Sequence, residues 1–272
     1  MARFFVEPHS FREDRVVIAG EDVRHITRVL RLTKGDHITV TTGQNTDYRV
    51  EITATSKAEV IGRVVEVSSV NRDPELKVTL VQGLPKGDKM DLIIQKSTEL
   101  GVTEIVPVET KRAIVKLESS RARQRVERWQ RIALEAAKQC RRGRVPEVAM
   151  PTSWQLALEA VPPGALAIVP WEGEEEKSLK QVLQGTTASN LDVQSVAASN
   201  PALPERSDSQ RPQEVWVFIG PEGGLDPEEI EAARARGIIP VTLGPRILRT
   251  ETAGLAVLTM ILYQWGDLGG TG

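Results

Sequence analysis

Two short segments combine glycines with charges in a way that suits a ligand site. The first is GPEGG, Gly220 to Gly224, which follows the apolar run Val215 to Ile219 and precedes the helix start Asp226-Pro227-Glu228-Glu229. At the carboxyl end of a strand in an open α/β sheet, such glycines let backbone approach a ligand with no Cβ in the way. The second is LGPRILRTETA, Leu243 to Ala253, which follows the strand-like run Ile238 to Leu243 and leads into an apolar helix. Thr250 reads as the N-cap of that helix, leaving its first amides aimed at whatever lies before them. Arg246, Arg249 and Glu251 add three charges beside apolar strand ends, where charges are held by partners or used on a ligand. Neither segment has the Gly-Lys-Ser/Thr of a nucleoside-triphosphate loop or the GxGxxG of a dinucleotide fold. Lying at equivalent strand ends, the two could build one pocket together.

The elements that must position them follow from the hydrophobic pattern. From Leu76 onward, strand-like runs (Leu76–Leu84, Glu104–Val108, Ala165–Trp171, Val215–Ile219, Ile238–Leu243) alternate with helical ones. The helices are expected over Asp88–Leu100, Ser119 to about Arg142, Lys177–Leu183 and Thr250–Trp265, with Asp88 as a cap. This alternation predicts a largely parallel α/β sheet with buried strands. Residues 1–70 differ. His37–Val40, Tyr48–Ile52 and Val60–Val67 are short β-branched runs, with one amphipathic helix at Asp22–Leu30, so a small β-barrel-like domain is expected. Asn71 to Pro74 reads as the linker, giving domains of 1–72 and 75–272. Residues 186–213, rich in Ser, Ala, Asn, Gln and Pro, are expected to be a flexible insertion.

Composition narrows the function classes. The 272 residues are 40% hydrophobic and 26% charged, as in ordinary soluble domains. The longest near-continuous apolar run, Leu255 to Tyr263, is far short of the roughly 18–20 residues that span a bilayer. With no signal-peptide pattern at the N-terminus, a cytoplasmic, membrane-free location is expected. Three histidines and one cysteine give no reason to expect a metal. The net charge of −2 hides a split: residues 1–150 carry 27 Lys and Arg against 21 Asp and Glu, and residues 151–272 carry 8 against 16. Lys111 to Arg144 alone holds 12 basic and 3 acidic residues. Such a field attracts phosphate, and arginine, its main component, offers a planar donor fork suited to it.

These segments, together with RFFV (Arg3–Val6), His25…Val29-Leu30-Arg31, KGDKMDLIIQKSTELGV (Lys86–Val102) and EAAKQCRRGRVPEV (Glu135–Val148), resemble the ribosomal small-subunit methyltransferase E family over nearly the whole chain. The resemblance implies a C-terminal SPOUT-type α/β domain with a trefoil knot and an N-terminal PUA-like RNA-binding barrel. It implies S-adenosylmethionine as cofactor, 16S rRNA of the small ribosomal subunit as partner, a homodimer, and methylation of N3 of one uridine. Cofactor contacts would fall on Ile219, Gly220, Pro221, Gly223, Gly224, Leu243, Gly244, Ile247, Leu248, Thr250 and Ala253, with the loop after Pro170 as a third wall. RNA would meet Arg3, Arg24, Arg28, Arg31, Arg112, Arg141, Arg142 and Arg144.

Uracil N3 carries a weakly acidic proton, so the imide must lose it or be stabilised as an anion. Arg249 or Arg246 could stabilise the charge, and Glu222 or Glu251 could accept the proton. N3 lies on the pairing edge, so the uridine must be unpaired or flipped out. Two alternatives stand beside this reading: ribose 2′-O methylation by a related knotted enzyme, and a non-catalytic RNA-binding assembly factor.

Overall fold

In the computed structural model, residues 2–43, 45–69, 72–113, 119–188 and 211–270 are described. Most of the insertion expected at 186–213, namely 189–210, lies outside them. The chain divides into two units, Met1–Asp73 with Leu134–Val145, and Pro74–Ala133 with Pro146–Gly272. Residues 134–145, expected with the second domain, thus group with the first.

The first unit holds β1 (Arg3–Phe5), β2 (Phe11–Arg12), β3 (Arg15–Ala19), α1 (Glu21–Arg24), β4 (His37–Thr41), β5 (Thr46–Thr55) and β6 (Glu59–Ser69). They form one six-stranded sheet in the order β1-β4-β5-β6-β3-β2, in which only the β1–β4 pair is parallel. Among the described residues no ladder joins β1 to β2, so the hydrogen bonding does not close the ring expected of a barrel. Alternate positions of these strands (Val16 and Ile18, Ile38 and Val40, Val50 and Ile52) meet Phe4, Val23 and Ile26 in a single core. This is the period-two signature of a half-buried sheet. The expected helix over 22–30 is α1 followed by a π-helical turn, His25–Val29.

The second unit holds β7 (Lys77–Gly83), α2 (Lys89–Leu100), β8 (Glu104–Glu109), α3 (Ser119–Cys140, which runs on into the first unit), β9 (Glu147–Val148), β10 (Thr152–Ser153), α4 (Trp154–Glu159), β11 (Leu166–Pro170), α5 (Leu179–Ala188), β12 (Glu214–Ile219), α6 (Pro227–Ala235), β13 (Ile239–Val241) and α7 (Thr250–Trp265). The main path of the sheet is β10-β8-β7-β12-β11-β13, with β9 beside β8, and every ladder is parallel. The central strands are buried on both faces, which is why they read as largely apolar runs. Trp154, Phe218, Trp216, Ile230 and Ile238 fill part of the core. Among the described residues no helix is long and apolar enough to cross a membrane.

Two expected caps differ. Asp88 precedes α2 without a side-chain capping bond. The N-cap of α7 is Arg249, and Thr250 is the first helical residue, its hydroxyl turned to another task described below. The cap at Asp226 is as read: Asp226 and Glu229 form a reciprocal capping box with Pro227 in the first turn.

Candidate active site

Because β11, β12 and β13 are parallel neighbours, their carboxyl ends open on one side of the sheet. A cavity of about 520 Å³ lies there, within the range of small-molecule sites. Its lining takes Ile219, Gly220, Pro221 and Gly224 from the first glycine loop. From the second loop and the start of α7 it takes Leu243, Gly244, Arg246, Ile247, Leu248, Thr250 and Ala253. The loop after β11 supplies the third wall with Pro170, Trp171, Glu172, Glu174 and Glu175. Of the residues expected to touch a cofactor, Gly223 alone is outside the lining. It lies under Arg112, where a Cβ would sit 3.1 Å from the arginine Cβ.

The first loop is shaped by close approach. Gly224 donates its amide to Pro221 O at 3.0 Å and sits at φ +69°, a conformation strained for any residue with a Cβ. Beneath it, Gly83 ends β7 so tightly that a Cβ would lie 2.7 Å from the ring and nitrogen of Pro221. The loop is also tied from the side. Arg112 reaches Gly223 O and Asp226, both at 3.4 Å, and Lys111 donates its amide to Glu229 at 2.8 Å and its ammonium to Glu228. Arg112, expected on RNA, is thus engaged in holding this loop.

Thr250 joins three segments. Its hydroxyl donates to Gly220 O at 2.7 Å and accepts from Gln82 Nε2 at 2.9 Å. Gln82 is fully buried and also donates to Gly83 O at 2.9 Å. A polar seam therefore runs from β7 through α7 to the first glycine loop, inside apolar surroundings where hydrogen bonds are strong. Sequence reading missed Gln82, since an isolated glutamine in a strand carries no signal.

The charged groups sort differently from expectation. Arg246 lines the cavity, while Arg249, Glu222 and Glu251 do not. Arg246 and Arg249 are exposed and have no ion pair among the described residues. Glu222 and Glu251 instead meet at Lys89, at 3.0 and 3.3 Å, and Glu222 also accepts the Lys86 amide at 3.1 Å. The hydrogen bond to Glu222, foremost, and that to Glu251 raise the Lys89 ammonium above its usual range. Burial pushes Glu222 up, but the bonds from Lys89 and from backbone amides outweigh it and leave the carboxyl below its usual range. Lys89 lies in a segment that carries the family resemblance, yet only its spatial meeting with two distant acids marks it as part of the site. On the third wall, Glu174 is ion-paired to Arg234 at 3.1 Å, and Arg234 lies over the Trp171 ring.

Of the arginines expected on RNA, Arg24, Arg28, Arg31, Arg141 and Arg144 are exposed. Arg3 and Arg142 are not. Arg3 bonds Asp47 at 2.6 Å and Arg142 O at 2.5 Å, and buried Arg142 bonds Asp73 at 2.8 Å. These two are internal ties of the first unit, because a buried guanidinium must be paired.

Residues 72–262 match the family model described as the RNA methyltransferase domain, and residues 18–65 that of the RNA methyltransferase PUA domain. The chain is 34% identical over 267 residues to ribosomal RNA small subunit methyltransferase E of Bacillus subtilis (strain 168), covering 97% of each. It is 34% identical over 260 residues to the protein of that name from Synechocystis sp., covering 95% of this chain and 76% of the relative. The solved ribosomal RNA small subunit methyltransferase E of Neisseria gonorrhoeae, bound to S-adenosyl methionine, superposes with a TM-score of 0.78 at 30% identity, covering 98% of this chain and 99% of that one. This chain therefore belongs to the ribosomal RNA small subunit methyltransferase E family.

Proposed function

We propose that the protein is an S-adenosylmethionine-dependent methyltransferase acting on N3 of one uridine in 16S rRNA. The observation that carries this is the convergence of both glycine loops on one cavity at the ends of β11, β12 and β13. The residues present fit the cofactor. At Gly220 and Gly224 a Cβ would run into Leu225 and Glu172, so only glycine lets the loop fold this closely beside the cavity, and Ile219, Leu243, Leu248 and Ala253 offer apolar wall. The cofactor supplies a methyl group already activated by its sulfonium. The protein must then position the acceptor, and alignment alone can contribute about 7–11 kcal/mol.

Arg246 and Arg249, unpaired and exposed, are the groups we assign to the charge that develops on the uracil. Glu222 is held ionised by Lys89 and so is a weak base near neutrality, which favours an anchoring role over proton transfer. The cofactor set is the eleven residues given above, with Gly223 acting through Arg112. The RNA surface is drawn from Arg24, Arg28, Arg31, Arg141 and Arg144. Its rRNA substrate sets the place of action in the cytoplasm.

We also assign to the second unit the trefoil knot of the SPOUT class. In support, the chain leaves the sheet at its edge strand β13, and the next helix, α7, returns to pack on β12 and β7 in the middle. The homodimer is supported by exposed apolar residues of the same region, Ile247, Met260 and Tyr263. Incubation with tritiated S-adenosylmethionine and under-methylated small subunits should label the rRNA, with the label recovered as 3-methyluridine. Cofactor binding without label in RNA would refute the assignment.

A further inference from the structure

The π-helical turn His25–Val29 presents a combination that the methyl-transfer site does not use. It is anchored by Ile26, and α1 just before it by Val23, both buried in the first unit's core. Its end is closed by Leu30 N–H to His25 O at 2.9 Å and Leu32 N–H to Ile26 O at 3.0 Å. Closing the turn this way puts Arg31 at φ +55°, where glycine is the unstrained choice. The outer tip carries Val29 at 65% exposure and Leu30 at 37%. Around them Arg24, Arg28 and Arg31 are exposed, without ion pairs among the described residues. Arg3, Arg49, Arg63, Arg72 and Arg142 of the same unit each hold a carboxylate. Asp22, on the adjoining turn, is taken by Lys138 at 2.9 Å, and Glu21 is exposed.

Irregular helical turns and strained residues cluster at functional sites. Here an anchored turn exposes two aliphatic side chains in the same short segment as three exposed arginines that hold no carboxylate among the described residues. Charge complementarity selects a polyanion, and the aliphatic tip selects one with apolar faces to offer. We propose that this turn is a wedge for RNA, with Val29 and Leu30 packed against unstacked bases and Arg24, Arg28 and Arg31 on the flanking phosphates. The inference rests on the rRNA methyltransferase reading and adds to it a way for the first unit to hold RNA with its bases unstacked. Aliphatic wedges that unstack bases, flanked by cations on phosphate, are an established way of deforming nucleic acid.

The test uses the full-length protein, protein-free 16S rRNA and under-methylated small subunits, over a range of salt. The exposed double substitution Val29→Ser/Leu30→Ser should weaken rRNA binding roughly tenfold at every salt concentration, because it removes apolar burial and no charge. Arg28→Ala should instead flatten the dependence of log K on log salt by about one unit. Arg31→Gly should raise thermal stability by relieving strain and yet weaken RNA binding, a pair of signs that a merely structural turn would not give. Methyl transfer by the double variant should lose kcat/KM in proportion to its binding, while calorimetry shows parental cofactor affinity. Parental RNA binding by the double variant would overturn the wedge and leave the methyltransferase reading standing. So would a defect seen on small subunits but absent on protein-free rRNA, which would assign the turn to a ribosomal protein. A parent protein that binds cofactor but labels no RNA would overturn the methyltransferase reading, and the wedge with it.

Discussion

At Thr250 one hydroxyl accepts from Gln82 and donates to Gly220 O. Thr250→Val keeps the shape but takes the hydroxyl donor from Gly220 O and one of the two acceptors from the buried Gln82 amide, a cost of about 1–3 kcal/mol. Urea unfolding should report that loss, and calorimetry should report weaker cofactor binding, since Gly220 lines the cavity. Arg246→Ala and Arg249→Ala should each lower kcat, by about a hundredfold for the one that faces the developing charge. The affinity for S-adenosylmethionine should stay near parental in the Arg249 variant, whose side chain is outside the cavity. Lys89→Met should separate the two acids that the ammonium holds together. Because Glu222 titrates below its usual range, its pairing stabilises the fold at pH above the ordinary glutamate range, and the benefit is lost as pH falls through the lowered value. The raised Lys89 gives the opposite limit, a benefit lost only as pH climbs through its raised range. The difference in Tm between parent and Lys89→Met should therefore be widest near neutrality and close on acidification.

Elements were legible to the extent that their stabilisation is local or their burial two-sided. The strands β7, β8, β11 and β12 stand out in sequence because both faces are covered and most of their buried positions are apolar. The start of α6 stands out because its capping box lies within four residues. Asp226→Ala should cost about 1 kcal/mol in thermal or urea unfolding and also release Arg112 from that end of the loop. What was not legible depends on partners far away in the chain. β1 has three residues and exists because β4 offers it a parallel ladder. Arg3 and Arg142 look like the other arginines until Asp47 and Asp73 fold against them. Thr250 looks like a cap until Gln82 and Gly220 claim its hydroxyl. Both glycine loops could be found from composition and position alone, but the meeting of Lys89 with Glu222 and Glu251 could not, since residues 89, 222 and 251 are brought together only by the fold.

For the molecule as a whole, the proposed dimer predicts a sedimentation mass twice 29.9 kDa. Tyr263→Asp, on the exposed face of α7, should shift the protein toward the single-chain mass while leaving α7 helical by circular dichroism. The seam of Gln82, Thr250 and Gly220 also has a consequence for how the protein is born. Its members are contributed by β7, the first glycine loop and α7, which lie far apart along the chain, so the seam is not made until residues beyond Thr250 have left the ribosome and docked. A nascent chain lacking α7 should thus be unable to retain S-adenosylmethionine, whatever the state of its earlier strands. Cofactor retention is acquired only once α7 has emerged and docked.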